Sequence, residues 1–271
     1  MNLELTNLHV LITGGSKGIG LACARGFLAE GARVTLIART IETLLEAQTS
    51  LTAMLINAGI ADTTLRVNVI AADLRDAADA ERAVEAVERD FGPVDVLVNS
   101  AGAAKRTPAA ELTAASWHDA MQAKFFTYIH VINPLIKKMG ERGRGAVVNV
   151  IGAGGKVAAV THLAGGSANA ALMLASAGFA AAYAGKGVRV NAVNPGLTMT
   201  ERLHEGMQAE ARQQGISIEE ALTRAKATRP LGRIAESSEI ADAVVYLASN
   251  RASYITGAVV AMDGAVTPMV V

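Results

Sequence analysis

Hydrophobic residues along this chain follow two alternating rhythms. Short, nearly continuous runs rich in β-branched residues recur at 9–13, 33–38, 66–71, 94–99, 146–151, 188–193 and 258–262. Between them lie longer segments with helical spacing, near 18–30, 40–57, 77–90, 115–139, 166–184 and 237–248. Strands that are apolar throughout, separated by helices, predict a parallel sheet covered on both faces. No linker, repeat or low-complexity tract interrupts the alternation, so residues 1–271 read as one α/β domain. The stretch 199–229 breaks the rhythm: it is polar, helix-prone and follows a strand end. Ligands of open parallel sheets bind beyond the carboxyl ends of the strands. An insertion there reads as a lid or substrate wall.

Composition narrows the classes. A content of 51% hydrophobic residues excludes disorder, and 25 basic residues against 25 acidic ones argue against nucleic-acid binding through bulk charge. The single cysteine, Cys23, excludes a disulfide framework and a cysteine-based zinc site. Scattered His, Asp and Glu show no metal-ligand spacing, so no metal is expected. The N-terminus has no signal-peptide pattern, and a cytoplasmic location is expected. Residues 157–185 carry no Asp, Glu, Lys or Arg, a length that raises the question of a membrane helix. The stretch is mostly Ala, Gly and Ser with one Asn and one His, which gives little transfer energy into lipid. No membrane partner is expected.

The first strand runs into Gly14, Ser16, Lys17, Gly18, Ile19 and Gly20, and a helix follows at once. Glycines in that string let the backbone turn tightly and approach a pyrophosphate seated on the helix N-terminus. The acidic residue that binds a ribose 2′-hydroxyl belongs about 20 positions on. The second strand ends instead at Arg39, with no acid, and Lys17 can reach the same group. Two cations and no carboxylate favour a 2′-phosphate, so NADP(H) is the expected cofactor.

With these residues the chain resembles the short-chain dehydrogenase/reductase family over nearly its whole length. Asp73 and Leu74 match the pair that holds the adenine in that family. Asn99, Ala101 and Gly102 match its Asn-Asn-Ala-Gly segment, and Pro195, Gly196 and Thr198 look like the segment that meets the nicotinamide. The resemblance implies a Rossmann-type, doubly wound domain with a seven-stranded parallel sheet. It also implies hydride transfer between a carbonyl and an alcohol, and a homotetramer or dimer. The apolar end 259–271 and the small-residue helix 166–184 fit such packing.

The family's Asn-Ser-Tyr-Lys tetrad has no counterpart. Aligned by motif, its positions hold Lys124, Gly152, Gly165 and Asn169. None of Tyr128, Tyr183, Tyr246 and Tyr254 has Lys four residues on, and Tyr183 with Lys186 lies at the far end of its helix. The charge-free interval therefore marks a lost catalytic lysine. His162, three residues before Gly165, is a candidate proton donor near pH 7, with Lys124 as its charge partner. The alternative is that His162 is a loop residue and Lys124 fills space or contacts cofactor. Weaker candidates are Lys156 at the site mouth, His204 and Glu205 in the insertion, and Met121, Met173, Met199 and Met207 as pocket padding. Two functions follow: an NADP(H)-dependent oxidoreductase with an atypical donor, or an inactive NADP(H)-binding regulatory protein. Both leave the small-molecule partner unspecified.

Overall fold

A computed structural model describes residues 1–60, 63, 66–102 and 104–269. Seven strands form one parallel sheet: β1 (His9–Thr13), β2 (Arg33–Ala38), β3 (Val67–Ala71), β4 (Val96–Asn99), β5 (Gly145–Val150), β6 (Val188–Pro195) and β9 (Val259–Met262). Their order is β3-β2-β1-β4-β5-β6-β9. The expected seven-stranded, doubly wound sheet is therefore present, with strand limits within two residues of expectation.

Both faces are covered. On one side α1 (Gly18–Ala29), α2 (Ile41–Asn57) and α9 (Ser237–Ala248) bury residues such as Phe27, Leu51 and Val244 against Val10, Ile12 and Val148. On the other, α3 (Ala77–Phe91), α5 (Thr127–Arg142) and α6 (Leu163–Tyr183) bury Val84, Leu135 and Leu172 against Leu11, Leu97 and Val190. Successive strand residues point to opposite sides, so the uniformly apolar runs serve both cores.

A buried polar relay crosses the carboxyl ends of three strands. Thr13 Oγ1 donates to Asn99 Oδ1 at 3.2 Å, and Asn99 Nδ2 donates to Asn149 Oδ1 at 3.0 Å. Asn149 Nδ2 donates to Ser176 Oγ at 2.9 Å, and Ser176 Oγ to Leu172 O at 2.7 Å. Because a buried polar group left unpaired costs roughly 1–3 kcal/mol, this chain fixes β1, β4, β5 and α6 in one register. The strand ends that frame the site are thereby held together.

Three departures from expectation bear on the site. The segment 115–139 is not one α-helix but α4 (Ala114–Ala120), a π-helical stretch Met121–Phe126, and α5. Single π-turns are sequence-silent, and they concentrate at functional sites. Second, α6 begins at Leu163, three residues earlier than expected, because Gly165 and Gly166 hide the helical start. By length and composition α6 together with the turn that follows it could cross a membrane. Ala164, Ala168, Asn169, Leu172, Ser176 and Ala180 nevertheless bury one of its faces within the domain. Third, the insertion holds the expected helices, α7 (Glu201–Gln214) and α8 (Ile218–Ala227), but also two unexpected short strands that pair, β7 (Thr198–Met199) and β8 (Ala235–Glu236). Of the apolar end, residues 270 and 271 lie outside the described residues.

Candidate active site

The glycine turn after β1 is packed so closely that side chains are excluded. A Cβ on Gly14 would lie 2.8 Å from Ala101 Cα, and one on Gly20 would lie 2.2 Å from Gly14 O. Gly102, at φ +85°, faces Ala123 O at 2.1 Å from its would-be Cβ. The N-cap residue Lys17 gives α1 no side-chain cap, so the first backbone N–H groups of the helix remain available to an anion. That cradle, bordered by Ala101 and Gly102, fits a dinucleotide pyrophosphate.

The remaining cofactor candidates surround the same groove. Arg39 is exposed immediately after β2, and Asp73 and Leu74 follow β3. Thr13 Oγ1 accepts the backbone N–H groups of Ser100 and Ala101, which shapes the turn after β4. Gly196 packs on Asp263, and its N–H donates to Met262 O at 3.0 Å. Pro195, Gly196, Thr198 and Ile19 line the large cavity at this end of the sheet. Lys17 is placed differently from expectation: its Nζ pairs with Glu201 Oε2 at 2.8 Å, which ties the glycine turn to the first residue of α7.

That cavity, about 1020 Å³, is lined by residues of the insertion and by the four positions that align with the family's tetrad, Lys124, Gly152, Gly165 and Asn169. His162 lines it too. Its ring lies directly over Gly165: a Cβ on residue 165 would be 2.2 Å from His162 Cε1 and 2.8 Å from Ala104 Cβ. The imidazole thus occupies space that the first atoms of a tyrosine would need. Asn169 Nδ2 likewise stands 3.3 Å from a would-be Cβ on Gly152. Both glycines are thus covered by neighbouring side chains, His162 over Gly165 and Asn169 beside Gly152.

Lys124 is the most unusual group present. It sits in the π-helical stretch, 8% exposed, with no carboxylate beside it among the described residues. Its Nζ donates to Tyr128 Oη at 3.0 Å and to Val150 O at 3.2 Å, and Tyr128 Oη donates to the same carbonyl at 2.5 Å. Burial, with a smaller push from Arg202, lowers its pKa to about 7. An ammonium has three N–H donors, so one remains for a ligand. Tyr128 itself is fully buried, and burial raises its pKa far above the ordinary phenol range. Sequence reasoning did not single out Tyr128, although Lys124 and Tyr128 form a Lys-x-x-x-Tyr pair, the reverse of the order sought.

His162 is half-buried at the N-cap of α6. Desolvation, then Arg106, Arg202 and Lys124, lower its pKa below 6.5. Its Nδ1 and Asn169 Oδ1 are buried without a hydrogen-bond partner among the described residues. Orphaned polar atoms around one cavity are the mark of a site that expects a ligand or water. Of the methionines only Met207 lines the cavity, and Lys156, His204 and Glu205 do not. Cys23 is fully buried in the core and burial raises its thiol pKa to about 12, consistent with a packing role.

Residues 14–267 match the family model described as enoyl-(acyl carrier protein) reductase. The chain belongs to the short-chain dehydrogenase/reductase family. Among its relatives, D-threitol dehydrogenase of Mycolicibacterium smegmatis is 33% identical, with 98% of this chain and 95% of the relative aligned. L-sorbose reductase of Gluconobacter frateurii, solved with NADPH and L-sorbose, superposes with a TM-score of 0.91 at 29% identity over 100% of both chains. A short-chain oxidoreductase of Pseudomonas aeruginosa PAO1, solved with NADPH and described as containing an atypical catalytic centre, superposes with a TM-score of 0.86. It is 30% identical and covers 98% of this chain and 100% of its own.

Proposed function

We propose that the protein is an NADP(H)-dependent oxidoreductase that interconverts a small-molecule carbonyl and its alcohol, with Lys124 and His162 replacing the family's proton-transfer residues. The observation that carries this reading is the Lys124 ammonium, buried at the cavity wall with one donor to spare. The sequence expectation gave His162 the proton and Lys124 the charge. The electrostatics favour the opposite division. A lysine at about 7 is an effective acid near neutrality, whereas His162, held below its ordinary value, is neutral there.

In the reduction direction Lys124 Nζ gives its proton to the carbonyl oxygen as the C=O π pair collapses onto it. Neutral His162 donates a hydrogen bond that orients the same oxygen. Tyr128 and Val150 O hold the Nζ in place. When bound, the reduced nicotinamide supplies the hydride. NADPH in the Gluconobacter and Pseudomonas structures supports the cofactor assignment, as does the absence of an acid after β2. Gly14, Ser16, Gly18, Ile19 and Gly20 would hold the pyrophosphate, and Asp73 with Leu74 the adenine. Asn99, Ala101 and Gly102 would border the ribose, and Pro195, Gly196 and Thr198 the nicotinamide carboxamide.

Arg39 is the residue on which phosphate selection rests, because Lys17 is engaged by Glu201. A charge-assisted hydrogen bond contributes about 1.5–3 kcal/mol. Arg39→Ala should therefore weaken NADPH binding by about 10- to 100-fold and leave NADH binding within a factor of about 3. Fluorescence titration with both nucleotides checks this, and equal weakening of the two would remove Arg39 from the phosphate site.

Loss of the tetrad at Gly152, Gly165 and Asn169 favours one rival, a nucleotide-binding protein without turnover. Stopped NADPH oxidation across a panel of ketoses and simple ketones, beside tight NADPH binding, would select that rival. We also infer self-association through the outer face of α6. Leu174 there is 78% exposed, with Ala170, Ala177, Gly178 and Ala181 beside it, an apolar surface costly to leave in water. Light scattering after size exclusion should give a dimer or tetramer, and a monomer mass at micromolar concentration would end that inference.

A further inference from the structure

The walls of the catalytic cavity are strongly one-signed. Lys105, Arg106, Lys124, Arg202, Arg224 and Arg229 line it, and Asp263 is its only acidic residue among those described. Some of these charges are already used. Arg224 donates to Glu220 at 2.6 Å, and Lys124 is bound as described above.

Arg106 and Arg202 are different. Neither has a carboxylate within 4.0 Å among the described residues. They repel each other: Arg202 is depressed by desolvation and then by Arg106, with Glu205 only a minor opposing influence. Both also push down His162, and Arg202 pushes down Lys124. Two guanidinium groups from separate elements, the loop after β4 and the first turn of α7, therefore converge on the reacting centre. Arg229 Nε, at the end of the insertion, is buried with no hydrogen-bond partner among the described residues. Collecting unbalanced like charges costs folding stability, and such an arrangement is relieved by a counter-charge. A planar fork of donors suits an oxyanion in particular.

We propose that the carbonyl substrate carries an anionic group, a carboxylate or a phosphonate-type oxyanion, bound between Arg106 and Arg202 close to the carbonyl. This rests on the oxidoreductase reading, and it adds the substrate's charge. Because Arg106 belongs to the loop after β4 and Arg202 to the insertion, the anion would also tie the insertion to that loop. A neutral sugar or polyol would leave both guanidinium groups uncompensated.

The test uses the full-length protein with NADPH and two substrate pairs: 4-oxopentanoate with its methyl ester, and 2-oxopropylphosphonate with its dimethyl ester. Wild type should prefer each anion by about tenfold or more in kcat/KM. Arg106→Gln/Arg202→Gln should bring both anion-to-ester ratios near unity and leave the KM for NADPH unchanged; the ratio within each variant is the readout, because Arg202 also acts on the Lys124 pKa. An equal rate on anion and ester, or a preference that survives the double substitution, overturns the proposal. A raised KM for NADPH in the double variant would also overturn it, because the arginines would then serve the cofactor. Calorimetric binding of each anion to the NADPH-loaded protein separates this from failure of the enzyme reading. Anion binding lost in the double variant, without turnover in either form, keeps the site and removes the reaction. No anion binding in wild type removes the site.

Discussion

Lys124→Met should abolish carbonyl reduction and at the same time make the protein more stable. General-acid catalysis contributes about 10²- to 10⁴-fold, so kcat should fall by about that factor while NADPH still binds. The gain in stability follows from the lysine's environment. Its pKa falls from 10.5 in the open chain to about 7 in the fold. Between those values the unfolded chain binds more protons, so stability rises as pH rises from about 7 towards 10.5. Below 7 the full penalty of the buried charge is present. Methionine removes that penalty and fills a similar volume. It leaves no orphan behind, because Tyr128 Oη still donates to Val150 O at 2.5 Å. At pH 6.5 the melting temperature of Lys124→Met should exceed that of wild type by about 5 °C, from about 2 kcal/mol. The difference should shrink as pH approaches 10. A variant that is inactive but less stable at every pH would mean that Lys124 is a structural cation.

The same titration predicts the sign of the pH profile for wild type. In the reduction direction kcat falls as pH rises through about 7, because the acid loses its proton. The groups that set this value are the apolar surroundings first and Arg202 second, with Tyr128 and Val150 O as hydrogen-bond acceptors and His162 nearby.

How much of this was legible in the sequence varies by element, for physical reasons. The strands were readable because a parallel sheet buried on both faces demands unbroken apolar runs, and 9–13 and 33–38 fall on β1 and β2 residue for residue. The glycine turn was readable because close backbone approach leaves no choice of residue at Gly14 and Gly20. The positions that align with the family's tetrad, Lys124, Gly152, Gly165 and Asn169, were assigned from the resemblance and the order of its motifs. The pairing of Lys124 with Tyr128 was present as an i, i+4 pattern, but the π-helical turn that carries the lysine has no sequence signature. The early start of α6 was hidden by Gly165 and Gly166, residues poor in helix propensity. Convergence of Arg106 and Arg202 could not be read, since their elements lie far apart in sequence and meet only through the insertion's path. Lys17 was read as a phosphate ligand because nothing in the sequence announces Glu201 as its neighbour.

Gly165→Ala should cost more in activity than in stability, and the balance between the two tests whether His162 belongs to the site. The added methyl lies 2.2 Å from His162 Cε1 and 2.8 Å from Ala104 Cβ. The imidazole is the end of a side chain and can swing away, so the cost in stability should stay near 1 kcal/mol. The hydrogen bond that orients the carbonyl is lost with it, and kcat/KM should fall by about 10²-fold. His162→Ala should lower activity to a similar degree without any clash. Combining them gives the decisive comparison, since residues in contact do not act independently. In His162→Ala/Gly165→Ala the stability cost of the methyl should shrink to what its approach to Ala104 Cβ leaves, while activity falls no further than in either single variant. The same reasoning explains why tyrosine cannot simply be restored. Gly165→Tyr alone must displace His162 and press on Ala104, and should cost more than about 2 kcal/mol. Beside His162→Ala only the contact with Ala104 remains and the cost should be smaller, and with Asn169→Lys it makes a Tyr-x-x-x-Lys pair on α6. If Gly165→Tyr melts at the same temperature with and without His162, the imidazole does not hold the place of the lost tyrosine, and its role in orienting the carbonyl fails with it.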